Sequence, residues 1–287
     1  MEDIQLEING VSKSYGKTQA LRDFTAHLGS GIYGLIGPNG AGKTTLINIL
    51  TRNLQPDSGS ITVNGESIYK MGKEYLGMLG FLPQYPIFYP NFRTDEFLKY
   101  ICVMKNIPRC EHKKRIENAL ETVNLTDSAN KKIGGFSGGM RQRLGIAQAV
   151  IGEPKMIILD EPTAGLDPQE RIRFRNLISR LAHGRIILLS THIVTDVESV
   201  ANEVLFIKKG ELVRCDTPAA LAAETDKFVW QLRAPTQEAE NIMKGRLVSA
   251  VSGDVIRIIS QEKPLENAVP AKATLEDAYL YYFGEPL

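Results

Sequence analysis

The sequence is poor in cysteine, has no long apolar run and carries almost no net charge. Its three cysteines, Cys102, Cys110 and Cys215, are odd in number and form no CxxC spacing, which argues against a disulfide framework and against a zinc site. No apolar run approaches the roughly 18 residues needed to cross a bilayer, and the N-terminus lacks the basic-then-apolar start of a signal peptide. We therefore expect a chain of the reducing cytosol that is neither secreted nor membrane-spanning by itself.

Positive and negative side chains are balanced, with 34 Lys and Arg against 33 Asp and Glu and a formal net charge of +1. This balance gives no bulk attraction toward nucleic acid or anionic lipid, so we expect no nucleic-acid partner and recognition by local chemistry. The basic run at residues 112–115 has the pattern of an amphipathic helix and is assigned no role. Of the 287 residues, 43% are hydrophobic, which is enough for one large core or two unequal domains.

Short apolar runs alternate with helical patterns in the middle of the chain. Residues 32–36 predict a strand that runs into a glycine-rich turn, and residues 44–50 then predict a helix. Two further apolar runs, 156–159 and 186–189, predict buried strands on either side of a helix at 169–182. Buried strands that alternate with helices are typical of a parallel sheet covered on both faces. The sequence therefore predicts an α/β fold with a parallel sheet core.

The segment before this core and the segment inside it have different patterns. Apolar and polar positions alternate in the first 28 residues, which, with a short strand at 60–64, predicts an antiparallel β subdomain at the N-terminus. Residues 94–123 have a mainly helical pattern, and another helix is predicted from Ser137. We therefore expect an inserted helical subdomain at about residues 85–150.

The pattern changes again after about residue 215. Strands are predicted at 228–232, 247–251 and 255–259, and a last helix is predicted from Thr274, with Asp277 as its capping-box partner. The expected organisation is one domain at residues 1–215 and a small α+β appendage at residues 216–287.

A glycine-rich segment between the first core strand and its helix fits the phosphate-binding pattern GxxxxGK[ST]. Glycines allow backbone amides to curl around phosphate oxygens, and the following helix adds free N–H groups and the positive end of its dipole. Lys43 supplies positive charge for the β- and γ-phosphates, and the Thr44 hydroxyl can ligate Mg²⁺. The candidate phosphate-binding residues are Gly37, Pro38, Asn39, Gly40, Ala41, Gly42, Lys43, Thr44 and Thr45. The strand before this loop and the helix after it favour a nucleoside triphosphate site over a chance match.

Two adjacent carboxylates, Asp160 and Glu161, follow the apolar run at 156–159. The end of a parallel strand lies at the carboxyl edge of the sheet, where ligands bind in such folds. Asp160 is suited to hold Mg²⁺ through water, and Glu161 is suited to polarise an attacking water. By themselves the two acids could equally be helix-capping residues, but the phosphate loop upstream favours a hydrolytic site.

The order of these motifs resembles the nucleotide-binding subunits of ABC transporters, and the resemblance covers residues 4–215. Ser137-Gly138-Gly139 resembles the centre of the family signature LSGGQ, with Phe136 in place of Leu and Met140 in place of Gln. In this family the signature binds the γ-phosphate of the ATP held by the opposite subunit. Ser137 can cap a helix while the glycine amides face the anion. The resemblance thus implies a P-loop ATPase whose site is completed only in a dimer.

Four more residues match functional positions of the family. Gln84 is similar to the Q-loop glutamine, which contacts Mg²⁺ and the reacting water, and Asp167 lies at the position of the D-loop, which crosses the dimer interface. His192 is similar to the switch histidine that holds the γ-phosphate, and Tyr15 to the aromatic that stacks on adenine. For Tyr15, packing on the β-hairpin remains an alternative.

The resemblance implies ATP hydrolysis with Mg²⁺ in a head-to-tail pair with a second ATPase subunit, either an identical or a related chain. It also implies a separate membrane permease and a location at the cytoplasmic face of the membrane. The aromatic-SGGM form of the signature, together with Thr274-Leu275-Glu276-Asp277, resembles the export subfamily. The alternatives are an importer subunit, a soluble ABC ATPase acting on ribosomes or DNA, and a regulatory dimer that binds but does not hydrolyse ATP.

Overall fold

The computed structural model describes residues 4–234 and 236–284. The strands in this part of the chain are β1 (Leu6–Tyr15), β2 (Thr18–Leu28), β3 (Gly31–Ile36), β4 (Ser58–Val63), β5 (Glu66–Ser67), β6 (Leu79–Leu82), β7 (Met156–Asp160), β8 (Ile186–Ser190), β9 (Glu203–Lys208), β10 (Glu211–Asp216), β11 (Val229–Arg233), β12 (Leu247–Ser252), β13 (Val255–Ile259) and β14 (Val269–Pro270). The helices are α1 (Lys43–Leu50), α2 (Ile68–Met71), α3 (Lys73–Met78), α4 (Thr94–Met104), α5 (His112–Thr122), α6 (Gly138–Val150), α7 (Pro168–Leu181), α8 (Val194–Glu198), α9 (Pro218–Ala223), α10 (Thr236–Met243) and α11 (Leu275–Phe283).

A six-stranded sheet in the order β10-β9-β3-β8-β7-β6 forms the centre of the fold. Its neighbours from β9 to β6 are parallel, and β10 pairs antiparallel with β9. The side chains of β7 alternate between two apolar cores, with Ile157 and Leu159 in one and Met156 and Ile158 in the other. Because both faces of the strand are covered, its sequence is continuously apolar. The predicted α/β fold with a parallel core is confirmed.

Three strands of this sheet were not identified from the sequence: β6, β9 and β10. In β6 the apolar run is only four residues long and contains Gly80, whose α-carbon packs against the backbone carbonyl of Ala149. A glycine in so short a run weakens the strand pattern, although here it permits a close backbone approach. β9 and β10 form a hairpin around Lys209 and Gly210, both at positive φ.

The N-terminal sheet is antiparallel, in the order β2-β1-β4-β5, as the alternating pattern predicted. The mainly helical stretch predicted at 94–123 contains two helices, α4 and α5. Asn106 adopts φ 55° and Pro108 follows, so the chain leaves the helix after α4. The helix predicted from Ser137 does begin there, since Ser137 is the N-cap of α6.

The C-terminal segment contains a four-stranded antiparallel sheet in the order β12-β13-β11-β14. The capping box of α11 is present as predicted, because Thr274 and Asp277 each accept a hydrogen bond from the other's backbone N–H. Leu275 and Ala278 of α11 are buried in the core that also covers one face of the six-stranded sheet. Within the described ranges, no helix combines the length and apolar character needed to cross a membrane.

Candidate active site

The loops after β3, β7 and β8 meet at one edge of the central sheet. Ser190 of β8 pairs with Leu35 of β3 on one side and with Asp160 of β7 on the other. The phosphate loop follows β3, the carboxylates lie at the end of β7, and His192 lies two residues after β8. The parallel topology therefore brings together residues that lie more than 150 positions apart in the sequence.

The phosphate loop packs tightly between the N-terminal sheet and strand β9 of the central sheet. Gly42 has φ 111°, and a Cβ at this position would lie 2.5 Å from the backbone oxygen of Ala20. A Cβ at Gly37 would collide with the backbone oxygen of Ile207. Gly42 is thus required for its backbone conformation and for close packing, and Gly37 is required for close packing.

Lys43, the first residue of α1, turns back over the loop. Its Nζ donates to the carbonyl oxygens of Gly37 at 2.5 Å and Pro38 at 3.1 Å. Burial lowers the pKa of Lys43, while the nearby carboxylates of Glu161 and Asp160 oppose that shift. The ammonium group is therefore held beside the loop by these two carbonyls.

The loop borders an open groove of about 320 Å³. Its lining residues are Tyr15, Ala20, Asn39, Gly40, Ala41, Gly42, Lys43, Thr44, Thr45, Gln84, Asp160 and Glu161. The structure thus assembles the candidate aromatic Tyr15, the phosphate loop, Gln84 and both carboxylates around one space. Gly37 and Pro38 are not in this lining; they contribute to the site through the carbonyls that hold Lys43.

Asp160 and Glu161 have different surroundings, although they are adjacent. Burial raises the pKa of Asp160; the nearby Ser190 side chain lowers it, Glu161 raises it and Lys43 lowers it, and the net shift is upward. Glu161 adopts φ 49°, a left-handed conformation that is uncommon outside glycine, and its backbone N–H donates to the Ser190 carbonyl at 2.8 Å. The turn at Glu161 directs the chain out of the sheet immediately after the strand.

One carboxylate oxygen of Glu161 is held by the residues that follow β8. Its Oε2 accepts from the Thr191 hydroxyl at 3.3 Å and from the His192 backbone N–H at 3.4 Å, and lies 2.8 Å from His192 Nδ1. His192 itself is exposed and does not line the groove, but it reaches the groove through Glu161. The role of Thr191 was missed from the sequence; its only signal was a hydroxyl directly before the candidate histidine.

Ala20 was also missed as a groove residue. It is on β2, and its backbone oxygen supports the phosphate loop at Gly42. An alanine carries no chemical signal, and only the pairing of β1 with β2 brings it beside Tyr15 and the loop.

The groove offers oxygen donors suited to Mg²⁺. The Thr44 hydroxyl, the Gln84 amide and the Asp160 carboxylate all line it. Among the residues that the structure describes, no cluster of three or more His, Cys, Asp or Glu side chains could hold a metal. A sparse set of oxygen donors fits Mg²⁺, which keeps several waters and takes further oxygens from substrate phosphates.

Two predicted elements are not brought to this groove. Ser137 caps α6 by accepting from the Met140 N–H at 3.2 Å, and Gly138 faces open space. Asp167 caps α7 by accepting from the Glu170 N–H at 2.9 Å. Neither Ser137-Gly138-Gly139 nor Asp167 lines the groove of its own chain.

Comparison with known proteins agrees with this arrangement. The family model described as ABC transporter matches residues 22–164. An uncharacterised ABC transporter ATP-binding protein of Bacillus subtilis, YxlF, is 39% identical over 208 residues, which are 72% of this chain and 69% of the relative. The chain belongs to the ABC transporter family. It is an ABC-type ATPase with a P-loop fold.

Other ABC proteins are similar over most of their length. The Nod factor export ATP-binding protein I of Paraburkholderia xenovorans is 34% identical over 78% of this ABC ATPase and 74% of the relative. The solved structure of cbiO1 from Clostridium perfringens, described as part of the transporter complex cbiONQ, has a TM-score of 0.71 at 28% identity. The match covers 78% of this chain and 92% of that structure.

Proposed function

We propose that this ABC ATPase works as a head-to-tail pair at the cytoplasmic face of a membrane and drives export through a separate permease subunit. One observation carries the proposal. The nucleotide groove contains every candidate catalytic element except His192, which contacts Glu161, whereas the signature segment lies outside the groove with Gly138 open to solvent. A second copy, placed head to tail, would supply the missing anion contacts.

Each candidate side chain in or beside the groove has a distinct task. Tyr15 offers a flat ring for adenine, and the phosphate-loop amides with Lys43 hold the phosphate oxygens. Glu161 orients or deprotonates the attacking water. His192 contacts Glu161 and holds the γ-phosphate, so that the two groups keep their relative position. When bound by Thr44, Asp160 and Gln84, Mg²⁺ would neutralise charge that develops on the phosphoryl oxygens.

Pairing is supported by the geometry of α6. Ser137 occupies the N-cap, so the first amides of this 13-residue helix point outward with the positive end of the helix dipole. Gly138 has no neighbour within 4 Å of an added Cβ. These amides are free to meet the γ-phosphate of ATP held by a second chain, with Asp167 crossing the same interface.

A permease partner is supported by an exposed apolar surface that begins directly after Gln84. Tyr85 is 79% exposed and Ile87 is 88% exposed. Tyr89 packs edge-on against Tyr100, with ring centroids 6.0 Å apart, and both rings are partly exposed. Such a surface next to the catalytic glutamine suits an apolar helix of a membrane subunit. The Nod factor relative and the cbiO1 structure, named for export and for a transporter complex, support the same partner class.

Variants of Glu161 and Gly138 test the head-to-tail pair. With ATP, Glu161→Gln should accumulate as a closed dimer on size-exclusion chromatography, because the nucleotide binds but is not hydrolysed. Adding Gly138→Asp should abolish that dimer while ATP still binds the groove, because the new carboxylate repels the partner's γ-phosphate. Gly77→Asp is the matched control, since Gly77 also faces open space but lies on α3. Dimers that persist with Gly138→Asp would refute the head-to-tail site.

A further inference from the structure

Glu170 lies between the two segments that a head-to-tail pair would present to the partner's ATP. It is in the first turn of α7, and its backbone N–H is the group that Asp167 caps. Its side chain packs on the α-carbon of Gly139, because a Cβ added to Gly139 would lie 3.1 Å from Glu170 Oε2. A single residue therefore touches both the signature and the D-loop.

The Glu170 carboxylate is held in place by two arginines. Oε1 accepts from Arg173 at 2.6 Å, and Oε2 lies 3.6 Å from Nε of Arg143. Arg143 also donates to the carbonyls of Gly139 at 3.4 Å and Asn124 at 3.2 Å, so it is anchored to the signature helix and to the turn after α5. The side chain of Glu170 is only 15% exposed. A largely buried charge with two partners has a well-defined position, unlike an ion pair in open solvent.

The crevice beside this network does not suit a ligand. Its volume is about 30 Å³, enough for about one water molecule and far too small for a nucleotide. Residues of α6 and α7 line most of it, together with Leu166 and the end of α5, and Phe174 and Leu177 pack in the adjoining core. The network therefore joins two helices instead of binding a small molecule.

We propose that Glu170 is a positioning residue that fixes Gly139 relative to Asp167, so that the signature and the D-loop engage the second chain's ATP together. The inference rests on the proposed head-to-tail pair. If the signature and the D-loop moved independently, closure of the dimer would have to order each of them separately. The conformational entropy that both segments lost would then weaken dimerisation. Glu170 keeps them in one rigid arrangement before the second chain arrives.

The test uses the full chain with Glu161→Gln as the parent. Glu170→Gln keeps the size of the side chain but removes its charge. We expect the chain concentration for half-maximal ATP-dependent dimerisation to rise about tenfold, within the range of coupling seen for contacting charged groups. ATP affinity of the groove, measured in the Gly138→Asp background to prevent closure, should not change. In an enzyme that retains Glu161, Glu170→Gln should lower kcat and leave the ATP affinity of the groove unchanged.

Two further variants separate positioning from general stability. Glu117→Gln is the control, because Glu117 forms an exposed ion pair with Lys113 on α5 and should leave dimerisation unchanged. Arg143→Gln should weaken dimerisation, and adding Glu170→Gln to it should have little further effect. Unchanged dimerisation in Glu170→Gln would overturn the inference, and so would a loss of thermal stability without a loss of dimerisation. If the Glu161→Gln parent itself does not dimerise, the proposed pair fails instead.

Discussion

Nδ1 of His192 lies 2.8 Å from Oε2 of Glu161, although the two residues follow different strands of the sheet, β8 and β7. The Thr191 hydroxyl and the His192 backbone N–H reach the same carboxylate oxygen. In this geometry an ionised Glu161 accepts from a histidine that carries its proton on Nδ1. The loop after β8 thus sets the direction of the carboxylate that is proposed to orient water.

Replacing this histidine should impair hydrolysis more than binding. For His192→Ala we expect kcat to fall at least about 100-fold, because Glu161 loses its 2.8 Å partner and the γ-phosphate loses a contact. ATP affinity should change little. Steady-state ATPase and equilibrium nucleotide binding measure the two quantities, with the exposed His183→Ala as control. A His192→Ala enzyme with normal kcat would contradict the role.

Tyr15 can be tested as an adenine platform because it is 51% exposed and lines the groove. Stacking of a base on an aromatic ring contributes about 1–3 kcal/mol, so Tyr15→Ala should weaken ATP binding roughly tenfold. Tyr15→Phe should bind ATP normally, since the ring is kept. If Tyr15 instead stabilises the hairpin, Tyr15→Ala will lower the unfolding midpoint and leave affinity unchanged.

Asp160 should destabilise the nucleotide-free protein at neutral pH. Its pKa is raised in the folded state, mainly by burial, so folding favours the protonated form. The unfolding free energy should therefore fall as pH rises from the ordinary value of 3.8 through the raised pKa, and then stay low. Asp160→Asn lacks this penalty and should unfold at a higher temperature at pH 7, while its Mg²⁺-dependent ATPase is lost. Thermal unfolding of the wild type and of Asp160→Asn from pH 3 to pH 7 checks the direction of this effect. If the difference between their unfolding temperatures narrows as pH rises, the prediction is contradicted.

Asp277 should stabilise the C-terminal segment. Its side chain is 1% exposed and pairs with Arg257, whose Nε donates to both carboxylate oxygens at 2.9 and 3.0 Å. Removing one member of a buried pair leaves an uncompensated charge, so Asp277→Ala should lower the unfolding free energy by about 3 kcal/mol. Glu276→Ala, at the exposed neighbouring position, should have little effect. Urea denaturation measures both.

The same residue predicts an effect of acid. Burial by itself raises the pKa of Asp277, but hydrogen bonds from Arg257 and Thr274 outweigh it, and the net pKa is lowered. Its stabilisation is therefore complete above the ordinary value of 3.8 and is lost as pH falls through the lowered pKa. Asp277→Asn should show a weaker dependence of unfolding on pH in that range. An equal dependence in both proteins would contradict the assignment.

The apolar surface after Gln84 should be needed for a membrane partner and not for catalysis. Ile87→Ser and Tyr85→Ser leave the core intact, because both side chains are exposed. We expect these variants to keep the ATPase rate of the isolated chain and to lose co-purification with a membrane protein after crosslinking. Val251→Ser, exposed on β12, is a control surface change. If the wild type captures only ribosomal or DNA-associated proteins, the transporter proposal fails.

The class of fold and the candidate phosphate site could be predicted from local patterns in the sequence. The loop from Gly37 to Thr45 and the pair Asp160 and Glu161 are local patterns, and their spacing to the neighbouring strands and helices depends only on short-range backbone preferences. The N-caps Ser137 and Thr274 could be identified in the same way, since a cap and its partner lie within three residues.

Which of these groups meet in space depends on the tertiary structure. The contact of His192 with Glu161 depends on β8 lying beside β7, and Ala20 reaches the groove through the antiparallel β1–β2 pair. Glu170 reaches Gly139 because the first turns of α6 and α7 come together. Sheet order and helix packing come from burial of apolar surface over the whole chain, which is non-directional and leaves no local signature at the residues it brings together.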